Sequence, residues 1–271
     1  AVGAALSVWH RYLGNERKDP ARTDRQQGSY MGPAFHNDDI KRFLNRRGYP
    51  YRELHGRERA TFIAEQIAAG KIVGYFAGRM EFGPRALGAR SILGDPRRTD
   101  TQTVMNLKIK YRESFRPFAP SVLEERITDY FEIDRPSPYM LLVAYVNKNR
   151  RLPQPSRDGI SMLERLKAKR SDIPAITHLN YSARLQSVNK AHKPDYHEVI
   201  SEFEKLTGCG VIVNTSFNVR GEPIVCTPED AYRCFMRTEM DLLVLEDCIL
   251  AKEKQPPFIE KGDWRDALEL D

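Results

Sequence analysis

The stretch GRMEFGPRALGARS, residues 78–91, combines a flexible backbone with concentrated positive charge. It carries three glycines, three arginines and a single acid: Gly78, Gly83, Gly88, Arg79, Arg85, Arg90 and Glu81. Arginine holds phosphate or carboxylate through a planar fork of donors, and glycine lets backbone N–H groups approach an anion closely. Neither G-x-x-x-x-G-K-[ST] nor G-x-G-x-x-G is present. We therefore expect a loop that holds a phosphorylated ligand by another design.

The loop comes directly after a predicted helix and strand. Apolar residues at helical spacing predict a helix over residues 57–69, which Gly70 ends. The apolar run at residues 72–76 predicts a buried strand that leads into the loop. Because α/β proteins commonly place ligand-binding loops after the strands of a sheet, this order favours an α/β fold.

A second unit of the same kind follows later in the chain. Apolar spacing predicts a helix over residues 196–206 and a strand over residues 211–213, which runs into the polar segment NTSFN, residues 214–218. A Thr-Pro pair beyond it is typical of a helix start, and residues 242–245 predict another strand. The sequence therefore predicts two strands that deliver polar groups to a turn.

Composition and charge bound the function. The chain of 271 residues is 41% hydrophobic and 30% charged, with a net charge of +6, and residues 79–116 hold nine basic and four acidic side chains. Such a field attracts phosphorylated molecules or nucleic acid. No apolar run approaches the roughly 18 residues of a membrane span, and no secretory signal is recognisable, so we expect a cytoplasmic protein without membrane contact. The four cysteines lack C-x-x-C spacing, which predicts buried free thiols and no metal site.

Three segments differ from these units. Residues 1–13 resemble the middle of an apolar helix. This resemblance suggests that the chain is a fragment of a longer polypeptide. Residues 14–33 are polar and rich in helix breakers, which predicts a linker or surface loop. Residues 147–172 carry eight basic side chains and few large apolar ones, so we expect an exposed excursion.

Lys110, Arg112 and Arg116 form a second group of cations, within KYRESFRPFAPS. In a strand Lys110 and Arg112 would share a face, and in a helix Arg112 and Arg116 would. Such charges form either a solvated surface with salt bridges or the wall of a pocket. The rigid and apolar residues that crowd this segment favour the pocket wall.

Polar groups in two other places leave their roles open. The hydroxyls and amides of NTSFN suit a nucleotide or a planar amide, and they equally suit ordinary turns and caps. His178 either orients a substrate or is structural. Residue patterns alone thus predict an α/β domain that binds a phosphorylated ligand, and they leave the reaction undetermined.

Three long motifs carry a family resemblance. GRMEFGPRALGARSILGDPR, NLKIKYRESFRPFAPSVL and GVIVNTSFNVRGEPIVCTPEDA resemble, in this order, the C-terminal region of the O-carbamoyltransferases of nodulation factors, cephalosporin and tobramycin. The resemblance covers residues 70–250. It implies a YrdC-like α/β domain over residues 51–271, with a twisted mixed sheet and flanking helices. It also implies that residues 1–50 are the remnant of an N-terminal ASKHA-type domain plus a linker.

The resemblance implies a carbamoyltransferase that uses ATP, with Mg²⁺, to convert carbamoyl phosphate to carbamoyl-adenylate. The carbamoyl group then passes to an acceptor hydroxyl bound by the N-terminal domain, which is the expected partner and the expected place of any iron or other metal. A non-catalytic docking domain and an RNA-binding YrdC-like module are the alternatives. Nucleic acid is not an expected partner, because exposed aromatic residues do not alternate with the basic ones.

The resemblance also implies the site residues. The YrdC signature K-x-R with a distant S-x-N matches the expected catalytic residues Lys110, Arg112, Ser216 and Asn218. The residues expected to bind substrate or nucleotide are Arg79, Glu81, Arg85, Arg90, Ser91, Lys108, Arg116, His178, Arg184, Asn214 and Thr215. The chain departs from the family run H-x-D-G-[TS]-A-R, because HLNYSAR, residues 178–184, has an amide in place of the carboxylate and a tyrosine in place of the glycine.

Overall fold

A large mixed sheet forms the centre of the molecule in the computed structural model, which describes residues 2–17, 24, 26–153, 161, 168–258 and 260. The strands in these ranges are β1 (Arg52–Glu53), β2 (Val73–Phe76), β3 (Arg90–Gly94), β4 (Ala119–Leu123), β5 (Val143–Tyr145), β6 (Ser182–Arg184), β7 (Gln186–Val188), β8 (Val211–Ser216), β9 (Leu242–Leu245) and β10 (Cys248–Ala251). The α-helices in the same ranges are α1 (Val2–Ser7), α2 (Asn37–Arg47), α3 (Gly56–Ala68), α4 (Thr101–Lys108), α5 (Ile127–Tyr130), α6 (Pro194–Thr207) and α7 (Pro228–Arg237).

Eight of these strands make the main sheet, in the order β1-β10-β9-β2-β3-β8-β4-β7, and β5 pairs with β6 alone. Strands β2 and β9 run parallel, as do β4 and β7, and the other neighbours are antiparallel. Ser91 at the start of β3 lies opposite Tyr75 on one side and Ser216 on the other. The ends of β2 and β8 and the start of β3 therefore meet at one edge of the sheet.

Helices α3 and α6 pack against each other, with Ile63 and Ile67 of α3 and Phe203 of α6 fully buried. Helix α7 begins with a capping box, in which Thr227 accepts from the backbone N–H of Asp230 and the Asp230 carboxylate accepts from that of Thr227. These flanking helices and the mixed sheet confirm the predicted α/β class.

The predicted elements of both units are present with small shifts in their ends. The helix predicted over residues 57–69 is α3, the strand predicted over 72–76 is β2, the helix over 196–206 is α6, and the strand over 242–245 is β9. Strand β8 is longer than predicted, since it continues through the polar residues to Ser216. Of the four free cysteines, Cys209, Cys234 and Cys248 are buried and Cys226 is half-buried, close to the prediction.

The segment from Lys110 to Arg112 is neither the strand nor the helix considered from the sequence. Helix α4 ends at Lys108, and Tyr111 has a φ of 48°, in the left-handed region. The backbone N–H groups of Lys110 and Arg112 donate to the carbonyls of Met105 and Asn106, so the last turn of α4 unwinds into a tight bend. The Lys110 side chain contacts Asn218, whereas the Arg112 side chain contacts Asn106.

The first residues of the chain extend from the rest. Helix α1 continues as a π-helical turn over Val8–Tyr12, and neither contains a buried residue. The segment predicted as a linker is partly packed, because Gly28 and Ser29 are buried and Asp24 accepts a hydrogen bond from Tyr139. Much of the predicted excursion, residues 154–160 and 162–167, lies outside the described residues. Across the described ranges, every helix is too short or too polar to span a membrane.

Candidate anion-binding site

The glycine–arginine loop, residues 77–90, joins β2 to β3 and is held from inside by Glu81. The Glu81 side chain is 4% exposed, and its Oε1 accepts from the backbone N–H groups of Leu87 (2.6 Å), Ala89 (2.7 Å) and Arg90 (3.3 Å). Ser91 Oγ accepts from the N–H of Gly88 at 3.0 Å. The expected ligand-binding residues Glu81 and Ser91 therefore shape the loop from its backbone side.

Gly88 is required where the loop presses on α6. Its φ is 99°, and a Cβ atom there would lie 2.2 Å from the Tyr196 ring. Any side chain would separate the loop from the helix.

A cavity of about 160 Å³ opens at the edge of the sheet beside this loop. It is lined by six of the residues expected from the sequence: Arg85, Arg112, Arg184, Asn214, Thr215 and Ser216. As far as the described residues go, its lining contains no acidic side chain. Three guanidinium groups without a carboxylate among the lining residues favour a bound anion.

The charges of the cavity act on one another. Burial, and then the charge of Arg85, lowers the pKa of Arg184. Burial, followed by the nearby Arg116, lowers the pKa of Arg112 to about 10. Burial and the charge of Arg184 lower the pKa of the half-buried His178. An anion in the cavity would relieve the repulsion between Arg85 and Arg184, which both line it.

Lys110, Ser216 and Asn218 meet beside the cavity, as the family signature implied. The Lys110 ammonium donates to the carbonyl of Ser216, to the Asn218 carbonyl at 2.8 Å and to Asn218 Oδ1 at 2.8 Å. Ser216 Oγ donates to Asn218 Oδ1 at 2.7 Å, and Asn218 Nδ2 donates to the Glu222 carbonyl at 2.7 Å. Burial, and to a smaller extent the charge of Arg112, lowers the pKa of Lys110 to about 7. Lys110 thus anchors the turn that presents Ser216 to the cavity.

Asn106 fixes the direction of Arg112, and sequence reasoning missed it. Arg112 Nε donates to Asn106 Oδ1 at 2.6 Å, while Asn106 Nδ2 donates to the carbonyls of Arg116 (2.8 Å) and Ser114 (3.1 Å). Asn106 is fully buried, and the Arg112 guanidinium lies 5.0 Å from the centre of the Phe118 ring. Its place at the start of the motif NLKIKYR was the available signal.

Arg90 and Lys108 lie away from the cavity. Arg90 is fully buried and donates to the carbonyls of Ala89 (2.9 Å), Gly78 (3.1 Å) and Pro33 (3.2 Å), with its guanidinium over the Phe76 ring. Burial lowers its pKa to about 10. Lys108 is exposed and pairs with Glu239 at 2.7 Å. Both side chains have other partners in the structure.

Arg79 and Arg116 are exposed cations near other surfaces. Arg79 donates to the Met31 carbonyl at 3.0 Å and lines a separate cavity of about 510 Å³ with Tyr30 and Lys193. Arg116 lies 3.7 Å from Glu113 and does not line the cavity. Its charge acts there by lowering the pKa of Arg112. Of the arginines in the glycine–arginine loop, Arg85 alone lines the cavity among the described residues.

The departure from the family run has a local structural role. Tyr181 has a φ of 64°, a conformation that favours glycine, and its hydroxyl donates to the Leu152 carbonyl at 2.8 Å. The Asn180 amide oxygen accepts from Ser182 Oγ at 2.7 Å. Tyr181 therefore adopts a backbone conformation that glycine favours, and the Asn180 amide is used within its own turn.

The fold and this site define an α/β domain with a cationic cavity at the edge of its mixed sheet. The model of the carbamoyltransferase C-terminus family matches residues 64–252, most of the chain. The chain belongs to this family, as the three motifs implied.

Curated relatives are similar over the whole chain. It is 57% identical to the uncharacterized protein sll1178 of Synechocystis, with 100% of this chain and 44% of the relative covered. It is 36% identical to nodulation protein NolO of Bradyrhizobium diazoefficiens, with 97% of this chain and 44% of the relative covered. The chain thus spans less than half the length of these relatives.

A shorter match links it to nodulation protein U of Sinorhizobium fredii, at 38% identity over 59% of this chain and 25% of the relative. Among solved structures, full-length HypF in its phosphate- and nucleotide-bound form covers 76% of this chain, and the match covers 22% of HypF. The TM-score is 0.44 and the sequence identity is 14%.

Proposed function

We propose that this chain activates carbamoyl phosphate with ATP to form carbamoyl-adenylate, as one part of an O-carbamoyltransferase that modifies an acceptor hydroxyl. The observation that carries the proposal is the cavity with Arg85, Arg112 and Arg184 and, among the described residues, no acid in its lining. Family membership supports carbamoyl transfer as the general reaction. The adenylate step is the finer expectation that the family resemblance implied, and we propose it for this chain.

The atoms of the substrates and of carbamoyl-adenylate define which anions the site must bind. Carbamoyl-adenylate contains one phosphorus, so carbamoyl phosphate must first lose its phosphate to water and become carbamate. A carbamate oxygen then attacks the α-phosphorus of ATP, and the bond to pyrophosphate breaks. Each turnover therefore yields one phosphate and one pyrophosphate. Fixed cations that meet these anions lower the barrier electrostatically, because they need no reorganisation during the reaction.

The size of the cavity suits the smaller substrate. Pockets for drug-sized ligands measure roughly 300–1,000 Å³, and this cavity measures about 160 Å³. Its dimensions fit carbamoyl phosphate or one phosphoryl group, with the rest of the nucleotide outside. Since the described lining offers no carboxylate, the cavity itself does not fit Mg²⁺.

The remainder of the longer protein is the proposed partner. The curated relatives extend well beyond the length of this chain, and we place the acceptor site and any iron or other metal in that additional part. We also propose a cytoplasmic location, where ATP is available.

The test is release of pyrophosphate from ATP that depends on carbamoyl phosphate, measured with the 271-residue chain. We expect Arg184→Gln to lower the rate by about a hundredfold, the loss typical of removing one donor that stabilises a transition-state anion. The matched control is Arg42→Gln in α2, whose side chain is 71% exposed and pairs with Asp39. It should leave the rate unchanged. Pyrophosphate release that does not depend on carbamoyl phosphate would refute the proposal. A wild-type rate in Arg184→Gln would refute it as well.

A further inference from the structure

Asn214 has an amide whose orientation is fixed by its neighbours. It lies in β8, is 1% exposed and lines the cavity. Its Nδ2 is within hydrogen-bonding distance of three oxygens, Gln186 Oε1 (2.9 Å), Ser121 Oγ (3.0 Å) and the Ala86 carbonyl (3.1 Å). Rotating the amide by half a turn would place Oδ1 against Gln186 Oε1 and the Ala86 carbonyl, which can only accept hydrogen bonds. The NH₂ group therefore faces this cluster, and Oδ1 points away from it.

The Gln186 amide is fixed in turn. Its Nε2 donates to the Leu87 carbonyl at 2.8 Å, and its Oε1 accepts from Ser121 Oγ at 2.6 Å. The orientation of Asn214 thus rests on a chain of contacts that ends in the backbone of the glycine–arginine loop.

Asn214 Oδ1 is a buried acceptor that has no donor among the described residues. Buried carbonyl oxygens without a partner are uncommon, because they lose their bonds to water and gain none in return. Arg184 Nε, in another residue of the same lining, is a buried donor without an acceptor among those residues. The described residues that line the cavity thus include three arginines and an asparagine whose buried amide oxygen has no described donor.

We propose that Asn214 is a specificity-determining residue that accepts a hydrogen bond from the NH₂ of the carbamoyl group. The inference rests on the proposed function and adds how the site tells carbamoyl phosphate from other acyl phosphates. A ligand that satisfies this cavity needs an oxyanion for the arginines and an N–H for Asn214 Oδ1. Carbamoyl phosphate has both, whereas acetyl phosphate has a methyl group where the amide nitrogen would be.

The discrimination should be large, because a site built to pair with an N–H leaves its own acceptor unpaired when the analogue lacks that group. Calorimetric titration of the 271-residue chain with each acyl phosphate, without ATP, measures it directly. We expect carbamoyl phosphate to bind at least about tenfold more tightly than acetyl phosphate. Asn214→Ala should bind both with the weaker affinity. The matched control Asn45→Ala removes an exposed amide in α2, away from the cavity, and should keep the preference.

Equal binding of the two compounds by the wild-type chain overturns the role of Asn214 and leaves the proposed function unaffected. This comparison requires no variant. A preference that persists in Asn214→Ala overturns it as well. If neither compound binds at millimolar concentration and no pyrophosphate is released, the proposed function itself fails.

Discussion

Lys110 shows how one buried cation links the site to the stability of the fold. Its ammonium is surrounded by oxygens of Ser216 and Asn218, and its side chain is almost fully buried. Removing it leaves carbonyls without a donor, which destabilises a protein more than loss of the bond itself. The role as an anchor is visible in the structure, and a direct role in the reaction stays a prediction.

The pKa of Lys110 predicts how stability changes with pH. It is lowered to about 7 in the folded chain, whereas an unfolded lysine titrates near pH 10.4. Between these values the unfolded state binds more protons, so the free energy of unfolding should rise with pH, by at most about 1.4 kcal/mol per pH unit from this group. Lys110→Met should lack this contribution, as measured by urea unfolding at pH 7, 8 and 9.

The informative quantity is the difference between the two proteins. Within the described residues, the half-buried Lys252 also has a lowered pKa, at about 8, but it is present in both proteins and cancels. Parallel pH curves for the wild type and Lys110→Met would contradict the assignment.

Individual residues were predictable where a motif fixed their partners. The contact of Lys110 with Ser216 and Asn218 followed from the family signature. The position of Arg90 did not, because a guanidinium satisfied by backbone carbonyls and one that awaits a phosphate look identical in sequence. Asn214 Oδ1 was hidden for a similar reason, since only the coordinates show that the NH₂ of the amide is used and the oxygen is not.

At the scale of elements, the glycine–arginine loop depends on one carboxylate. Glu81 gathers three backbone N–H groups, and Arg85 extends from the same loop into the cavity. We expect Glu81→Gln to lower the free energy of unfolding by about 1–3 kcal/mol, because hydrogen bonds to a charged acceptor are the strong ones. It should also weaken binding of inorganic phosphate, since Arg85 loses its fixed position.

Urea unfolding and phosphate titration check this prediction. The matched control is Glu239→Gln, an exposed carboxylate paired with Lys108, which should change stability by less than about 0.5 kcal/mol. Wild-type stability in Glu81→Gln would show that the loop holds its shape without the charge.

Element types were predictable and their ends were not. Strand β8 continues to Ser216 because β3 pairs with it there, and no local pattern reports a partner more than a hundred residues away. The bend at Lys110 depends on Tyr111 in a left-handed conformation, which a tyrosine seldom signals in advance. Helix α6 was easier, since its apolar spacing and the glycine at its C-terminus agree.

At the scale of the whole molecule, α1 is separable from the fold. Residues of α1 and of the π-helical turn after it are all at least partly exposed. Deleting residues 1–13 should therefore change the free energy of unfolding by less than about 0.5 kcal/mol. Leu44→Ala in α2, where the side chain is fully buried, should cost about 2–5 kcal/mol and provides the contrast. A deletion as damaging as Leu44→Ala would mean that the first residues support the core.

The strand order could not be predicted from the sequence, because an apolar run does not indicate which strands it will pair with. Two such runs predicted strands at residues 72–76 and 242–245, and nothing in either indicated that they lie side by side. The pairing of β2 with β9 joins segments that are far apart in sequence, since Val73 lies opposite Leu242.

This pairing has a consequence for biosynthesis. A ribosome delivers β2 long before β9, and the edge that β2 shares with β9 stays open until β9 has been translated. Nascent chains with unpaired apolar strands are prone to aggregate and to recruit chaperones. Premature stop codons between β8 and β9 should therefore yield products in which β2 never pairs with β9, and proteolysis should remove these products.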